Sequence, residues 1–165
     1  MDMHEELVEE IKRHVEELAE LERSFGPSIA VIRYGRAFRP TAKSPTWLRI
    51  GQARDCFNNA TAYAAVRDDV WYAEGYALEP ELLFPVQHAW LVDRDGQVID
   101  PTWKDTRDHA YFGIAFKRDF VCEQLVKNGQ NAGILVNLNL LRRRHRDPVD
   151  LESVIRGAAV TLRAA

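Results

Sequence analysis

The run from Val86 to Asp100 restricts the possible folds more than any other part of the chain. Val86-Gln87-His88-Ala89-Trp90-Leu91-Val92 is rich in strand-favouring residues, Asp93-Arg94-Asp95-Gly96 has the composition of a tight turn, and Gln97-Val98-Ile99-Asp100 resumes the apolar pattern. Two such runs around a short turn that contains glycine predict an antiparallel hairpin. The turn also sets the register. Pairing Val92 with Gln97 would send His88 and Asp100 to opposite faces. If Gly96 instead adopts a left-handed bulge, Asp93 pairs with Gln97 and the two side chains share a face. Glycine tolerates that conformation, so the bulged register is expected, with Ala89 turned to the other side.

The flanking segments fill in a layout. Residues 2 to 24 carry Leu7, Ile11, Val15, Leu18 and Leu21 at helical spacing among many glutamates, which predicts an amphipathic helix ended by Gly26-Pro27. Residues 29 to 34 read as a short buried strand, and 35 to 50 as an ordered loop of basic character around Phe38 and Trp47. A helix is expected over 56 to 67, with Asp55 as its N-cap and Phe57, Ala60, Tyr63 and Ala64 on its inner side. Val70 to Leu78 reads as a strand in which Gly75 marks a bulge or a close backbone approach.

Beyond the hairpin, residues 108 to 116 read as a strand or closing loop, and 118 to 127 as a helix stopped by Asn128-Gly129. Residues 134 to 141 fit either a strand or the start of a helix. The basic cluster Arg142 to Arg146 reads as a solvated helix end or loop, and Asp147-Pro148 as the N-cap and first position of a helix over 149 to 163. Antiparallel neighbours following a helix, rather than alternating strand and helix, predict an α+β fold. A chain of 165 residues, 46% of them hydrophobic, is expected to form one domain over residues 1 to 165.

Charge and cysteine content narrow the partners. With 22 basic and 25 acidic residues the net charge is −3, so there is no general attraction to nucleic acid or to a membrane surface. The only cysteines, Cys56 and Cys122, make no disulfide framework, and no apolar run approaches the roughly 20 residues of a membrane span. A reduced, cytoplasmic protein is the expectation. Oligomeric state is not legible.

The chemistry gathers on three residues. Cys56 stands at a helix start, where the helix dipole and unpaired amide hydrogens favour a thiolate. His88 and Asp100 lie on the two arms of the hairpin. An imidazole can take the thiol proton and later give it to a leaving group, while a carboxylate fixes the tautomer and steadies the imidazolium. Singly, each residue type is commoner in structural roles. In this order, on elements of these types, they point to thiol-based acyl transfer on an amide bond of a peptide or protein, without a metal or cofactor.

Cys56 opening a helix, Phe57 beside it, and the motifs His88-Ala89-Trp90 and Asp100-Pro101-Thr102-Trp103 resemble the core of transglutaminase-like proteins, a branch of the papain-like cysteine peptidase superfamily. The resemblance implies an α+β papain-like core over residues 50 to 116, with an N-terminal helix before it (1 to 26) and a helical part after it (117 to 165). It places Cys56, His88 and Asp100 in a catalytic triad, Gln52 with the Cys56 amide at an oxyanion site, and Trp90 and Trp103 against the substrate. Hydrolysis by a cysteine peptidase-like route is the first expectation. Amine transfer or deamidation through the same thioester is the second, and a non-catalytic binding or inhibitory module the third.

Overall fold

The computed structural model describes residues 2–146 and 148–157. Its elements are helices α1 (Met3–Glu22), α2 (Pro27–Tyr34), α3 (Cys56–Ala64), α4 (Arg118–Asn128), α5 (Leu138–His145) and α6 (Pro148–Ser153), with strands β1 (Arg36–Phe38), β2 (Trp71–Leu78), β3 (Val86–Val92), β4 (Val98–Ile99) and β5 (Ala110–Ala115). The strands form an antiparallel sheet in the order β1-β5-β2-β3-β4. The fold is therefore α+β. None of its helices is long and apolar enough to cross a membrane, among the described residues.

Strand alternation divides the apolar residues between two faces. Tyr72, Tyr76 and Leu78 of β2, Ala89 and Leu91 of β3, and Phe112 and Ile114 of β5 join Val8, Ile11, Val15, Cys56 and Ala60 from the helices in the larger core. The opposite face buries a smaller cluster of Phe38, Ala73, Ala77, Trp90, Val92, Val98, Tyr111 and Ala115. Two facing glycines make this possible. A side chain at Gly75 would stand 2.4 Å from the Phe112 carbonyl, and one at Gly113 would stand 2.8 Å from Trp90 Cη2. The glycine in β2 thus marks a close backbone approach, not a bulge.

The hairpin has the bulged register. Asp93 N donates to Gln97 O at 3.0 Å, Leu91 and Val92 pair with Ile99 and Val98, and Gly96 is left-handed at φ 81°. The Asp93 carboxylate tightens the turn by accepting from Asp95 N and Gln97 N, at 2.9 and 2.8 Å. β4 stops at Ile99, so the first half of β3, including His88, runs on without it.

Four local expectations are corrected. Residues 29 to 34 are helical, not extended. Pro27 opens the helix, and the Glu22 carboxylate accepts from the free amides of Ser28 and Ile29 at 3.1 and 3.0 Å, a cap that comes from the preceding helix. The loop 35 to 50 contains β1 and a bridge from Pro40 to Val98. In α1 the buried stripe runs through Val8, Ile11 and Val15, while Leu21 is 78% exposed, one turn beyond the packed part. The last helix is short because the chain then extends to pair with the end of β5: Lys117 N donates to Val154 O, and Arg156 N to Ala115 O, both at 2.8 Å.

Elsewhere in the C-terminal part, the ambiguous run 134 to 141 resolves into a turn and α5, whose N-cap Asn137 accepts from Leu140 N at 3.1 Å. The basic cluster is a helix end, as expected, with Arg142, Arg143 and Arg146 exposed. Arg142 and Arg144 lie over the rings of Phe25 and Phe120, and Arg144 pairs with Asp150 at 2.7 Å. The expected N-cap Asp147 and the end of the expected helix, 158 to 163, lie outside the described residues.

One buried acid organises the back of the molecule. Glu74, on the larger-core face of β2, accepts from Tyr72 Oη at 2.6 Å and from the amides of Ile134 and Leu135 at 2.7 and 2.9 Å. It pins the segment between α4 and α5 to the sheet. Burial pushes its pKa up against the lowering effect of these donors.

Candidate active site

α3 lies against the larger core through Cys56, Ala60 and Ala64, and its start is tied to the chain leaving the hairpin. Gly51 N donates to Pro101 O at 2.7 Å, and Asn59 Nδ2 donates to Thr102 Oγ1 at 3.0 Å and to Gln52 O at 2.8 Å. Gly51 has no room for a side chain, since a Cβ there would meet Asn59 Oδ1 at 2.1 Å. These bonds draw the helix start to the open part of β3. A cavity of about 340 Å³ results, lined by Arg54, Cys56, Phe57, Val86, Gln87, His88, Thr102 and Trp103.

His88 and Asp100 are joined directly, with Nε2 and Oδ2 2.8 Å apart. Continuing the β3–β4 register puts His88 opposite Thr102, which makes Asp100 its diagonal neighbour. The carboxylate is held from all sides. Oδ1 accepts from Thr102 N at 2.8 Å and Trp103 N at 3.0 Å, while Oδ2 also accepts from Tyr111 Oη at 2.8 Å. The Asx-type turn after Asp100 is what lets Trp103 fold back, and its indole stacks on the imidazole with centroids 4.1 Å apart at 15°.

Burial opposes charge on both members of this pair, yet the pairing prevails. For His88, burial lowers the pKa, but the Asp100 carboxylate, with Cys56 nearby, outweighs it and pushes the value up to about 9. Burial likewise raises Asp100, and the His88 charge with the two backbone donors brings it below the usual carboxylate value. Tyr111 is held well above its ordinary pKa by burial and by the Asp100 charge, so its hydroxyl stays a donor. With Nε2 facing Asp100, the other ring nitrogen, Nδ1, is left for the thiol.

Other expected residues fall elsewhere. Gln52 is exposed and does not line the cavity; among the described residues only its backbone carbonyl is engaged, by Asn59. It is four residues before Cys56 but outside the helix, ahead of the turn at Ala53 and Arg54. Trp90 is fully buried in the smaller core, on the same strand face as His88 but deeper in the sheet, where no substrate reaches it. Trp103 does line the cavity. Asp55 occupies the N-cap position of α3 without capping it, because its carboxylate accepts from Asn58 Nδ2 at 2.8 Å.

Several contributors had no strong local signal. Tyr111 comes from β5, which is separated from β4 by β2 and β3, and nothing near it in sequence points to Asp100. Asn59 and Thr102 orient two segments 43 residues apart. Arg54 lines the cavity with a left-handed backbone, φ 64°, unusual for a residue with a side chain. His109 is buried, with no partner for Nδ1 among the described residues, and lies edge-on to Trp103. Cys122 lies half-buried on α4 and lines none of these walls. No group of three or more His, Cys, Asp or Glu side chains is arranged to hold a metal ion, among the described residues.

Comparisons of the chain with protein-family models, with curated proteins and with solved structures find no match.

Proposed function

We propose that the protein is a thiol-dependent hydrolase with a papain-like, transglutaminase-like core, acting on an amide bond of a peptide or protein. The observation that carries this reading is the 2.8 Å His88–Asp100 contact opening on the cavity that also contains Cys56. Cys56 Sγ attacks the amide carbonyl while His88 holds the thiol proton, and the Cys56 backbone amide faces the developing oxyanion. The C–N bond breaks as the imidazolium gives its proton to the leaving amine. Water, deprotonated by His88, then attacks the thioester, and Cys56 leaves with the returned proton. Asp100 keeps Nε2 protonated throughout, which leaves Nδ1 as the atom that exchanges protons.

Profiling with a library of peptide amides and free amines tests this reading. Release of amine and a mass increase on Cys56 equal to the acyl group are the expected results, both lost in Cys56→Ala. Acyl-enzyme resolved only by an added amine would replace hydrolysis with transfer. A library that yields neither released amine nor acylated Cys56 would remove the enzymatic reading in favour of a binding module.

A further inference from the structure

A second cavity, of about 210 Å³, lies between α4, the segment 130–137 and the first turn of α5. Among the described residues, no charged side chain lines it. Its polar wall consists of carboxamides, and these divide into two sets.

One set builds the cavity. Asn131 donates from Nδ2 to Thr61 Oγ1 at 2.8 Å and accepts the Gly133 amide on Oδ1 at 2.9 Å, and Asn137 caps α5. Gly133 is left-handed, φ 102°, and Glu74 clamps the next two amides. The shape is therefore set by buried bonds before any ligand arrives.

The other set is free. Gln124 is 7% exposed and lines the cavity, yet its carboxamide makes no hydrogen bond among the described residues. Unlike Trp90 Nε1 it is not sealed in protein, so it opens on the cavity. Its polar atoms remain accessible there, so a ligand hydroxyl can take the place of water as their partner. Asn128 and Gln130 stand exposed at the rim, also without side-chain partners among the described residues.

We propose that this cavity binds a neutral polyhydroxylated ligand, a single sugar unit. Each free carboxamide offers two donor hydrogens and an acceptor oxygen, and a hydroxyl group both donates and accepts. The uncharged wall gives no counter-charge to a phosphate, a carboxylate or an amine. Ile134 and Leu140 supply an aliphatic surface suited to the C–H face of a pyranose ring. The volume lies below the roughly 300 Å³ at which pockets for larger ligands begin, which suits one ring rather than a chain.

The test titrates the full chain, carrying Cys56→Ala so that turnover plays no part, with glucose, galactose, mannose and N-acetylglucosamine. Binding is followed by backbone amide shifts. The expected result is a saturable response at residues 124–137 to at least one sugar, with none to acetate or phosphate. The response should weaken at least tenfold in Gln124→Leu and in the rim variant Asn128→Ala/Gln130→Ala, whose exposed positions do not endanger folding. No saturable response to any of the four sugars, or one that maps elsewhere or persists in the rim variant, would overturn the proposal and leave a water-filled cavity.

Discussion

Tyr111 Oη donates to Asp100 Oδ2 at 2.8 Å, the same oxygen that faces His88 Nε2 at the same distance. The two donors compete for one carboxylate oxygen, so the phenol draws off negative charge that the imidazole would otherwise feel. Tyr111→Phe removes that donor with little change of shape. We expect the His88 midpoint, followed by imidazole NMR, to rise above its value of about 9. Stability should fall by about 1.5–3 kcal/mol, the usual range for a hydrogen bond to a charged group. An unmoved His88 titration would make the phenol a packing element only.

Asp100→Asn tests the opposite change. With the carboxylate charge gone, burial is the largest remaining influence on His88 and acts to lower its pKa. The NMR midpoint should drop, and turnover of a substrate found by library profiling should fall by about 10⁴-fold, the scale seen when a triad loses its orienting carboxylate. Retention of full turnover would show that Asp100 orients nothing the reaction needs.

The same pair makes stability depend on pH, with a sign fixed by the direction of each shift. His88 is raised from 6.5 to about 9, so its contribution is complete below pH 6.5 and is lost as pH rises through about 9. Asp100 is lowered from 3.8, so its contribution is complete above pH 3.8 and is lost as pH falls through its lower folded value. The difference in melting temperature between the wild type and His88→Gln should therefore be widest between pH 3.8 and 6.5 and should shrink towards pH 9. A difference that is flat across this range would contradict the pairing. Turnover should also decline as pH rises through about 9, where His88 loses the proton it gives to the leaving amine.

The two cysteines offer a comparison in which accessibility and chemistry disagree. Cys56 is 9% exposed, while Cys122 is half-buried on α4. Accessibility alone favours alkylation of Cys122 first. With His88 beside it, Cys56 should react first with iodoacetamide at neutral pH, and His88→Ala should reverse the order, as read by peptide mass spectrometry. Preferential modification of Cys122 in the wild type would count against Cys56 as nucleophile.

Trp90 illustrates a residue whose role changed with the tertiary structure. Its indole fills the space left by Gly113 and contacts Phe38 and Tyr111, with ring centroids 5.8 and 5.1 Å away. Trp90→Ala should cost about 3–5 kcal/mol of stability, measured by chemical denaturation, as for other large aromatic truncations in cores. A loss under 1 kcal/mol would mean that the smaller core does not depend on it.

Where geometry follows from a few adjacent residues, the chain could be read directly. Asp93 and Gly96 settle the turn, the turn settles the register, and the register alone brings His88 and Asp100 to one face. The glycine stop of α4 is equally local. Other features depended on contacts that no sequence window contains. Residues 29 to 34 became helical because Glu22 caps them from another helix, and an apolar run that short has no preference of its own. Gln52 lies outside the cavity with its carbonyl bonded to Asn59, and Tyr111 entered the site because the sheet order places β5 within reach of Asp100. Local steric preferences determined the hairpin and its pairing. The approach of Cys56 to that hairpin, and the set of donors around its carboxylate, came from bonds between segments tens of residues apart, which form only once the chain has packed.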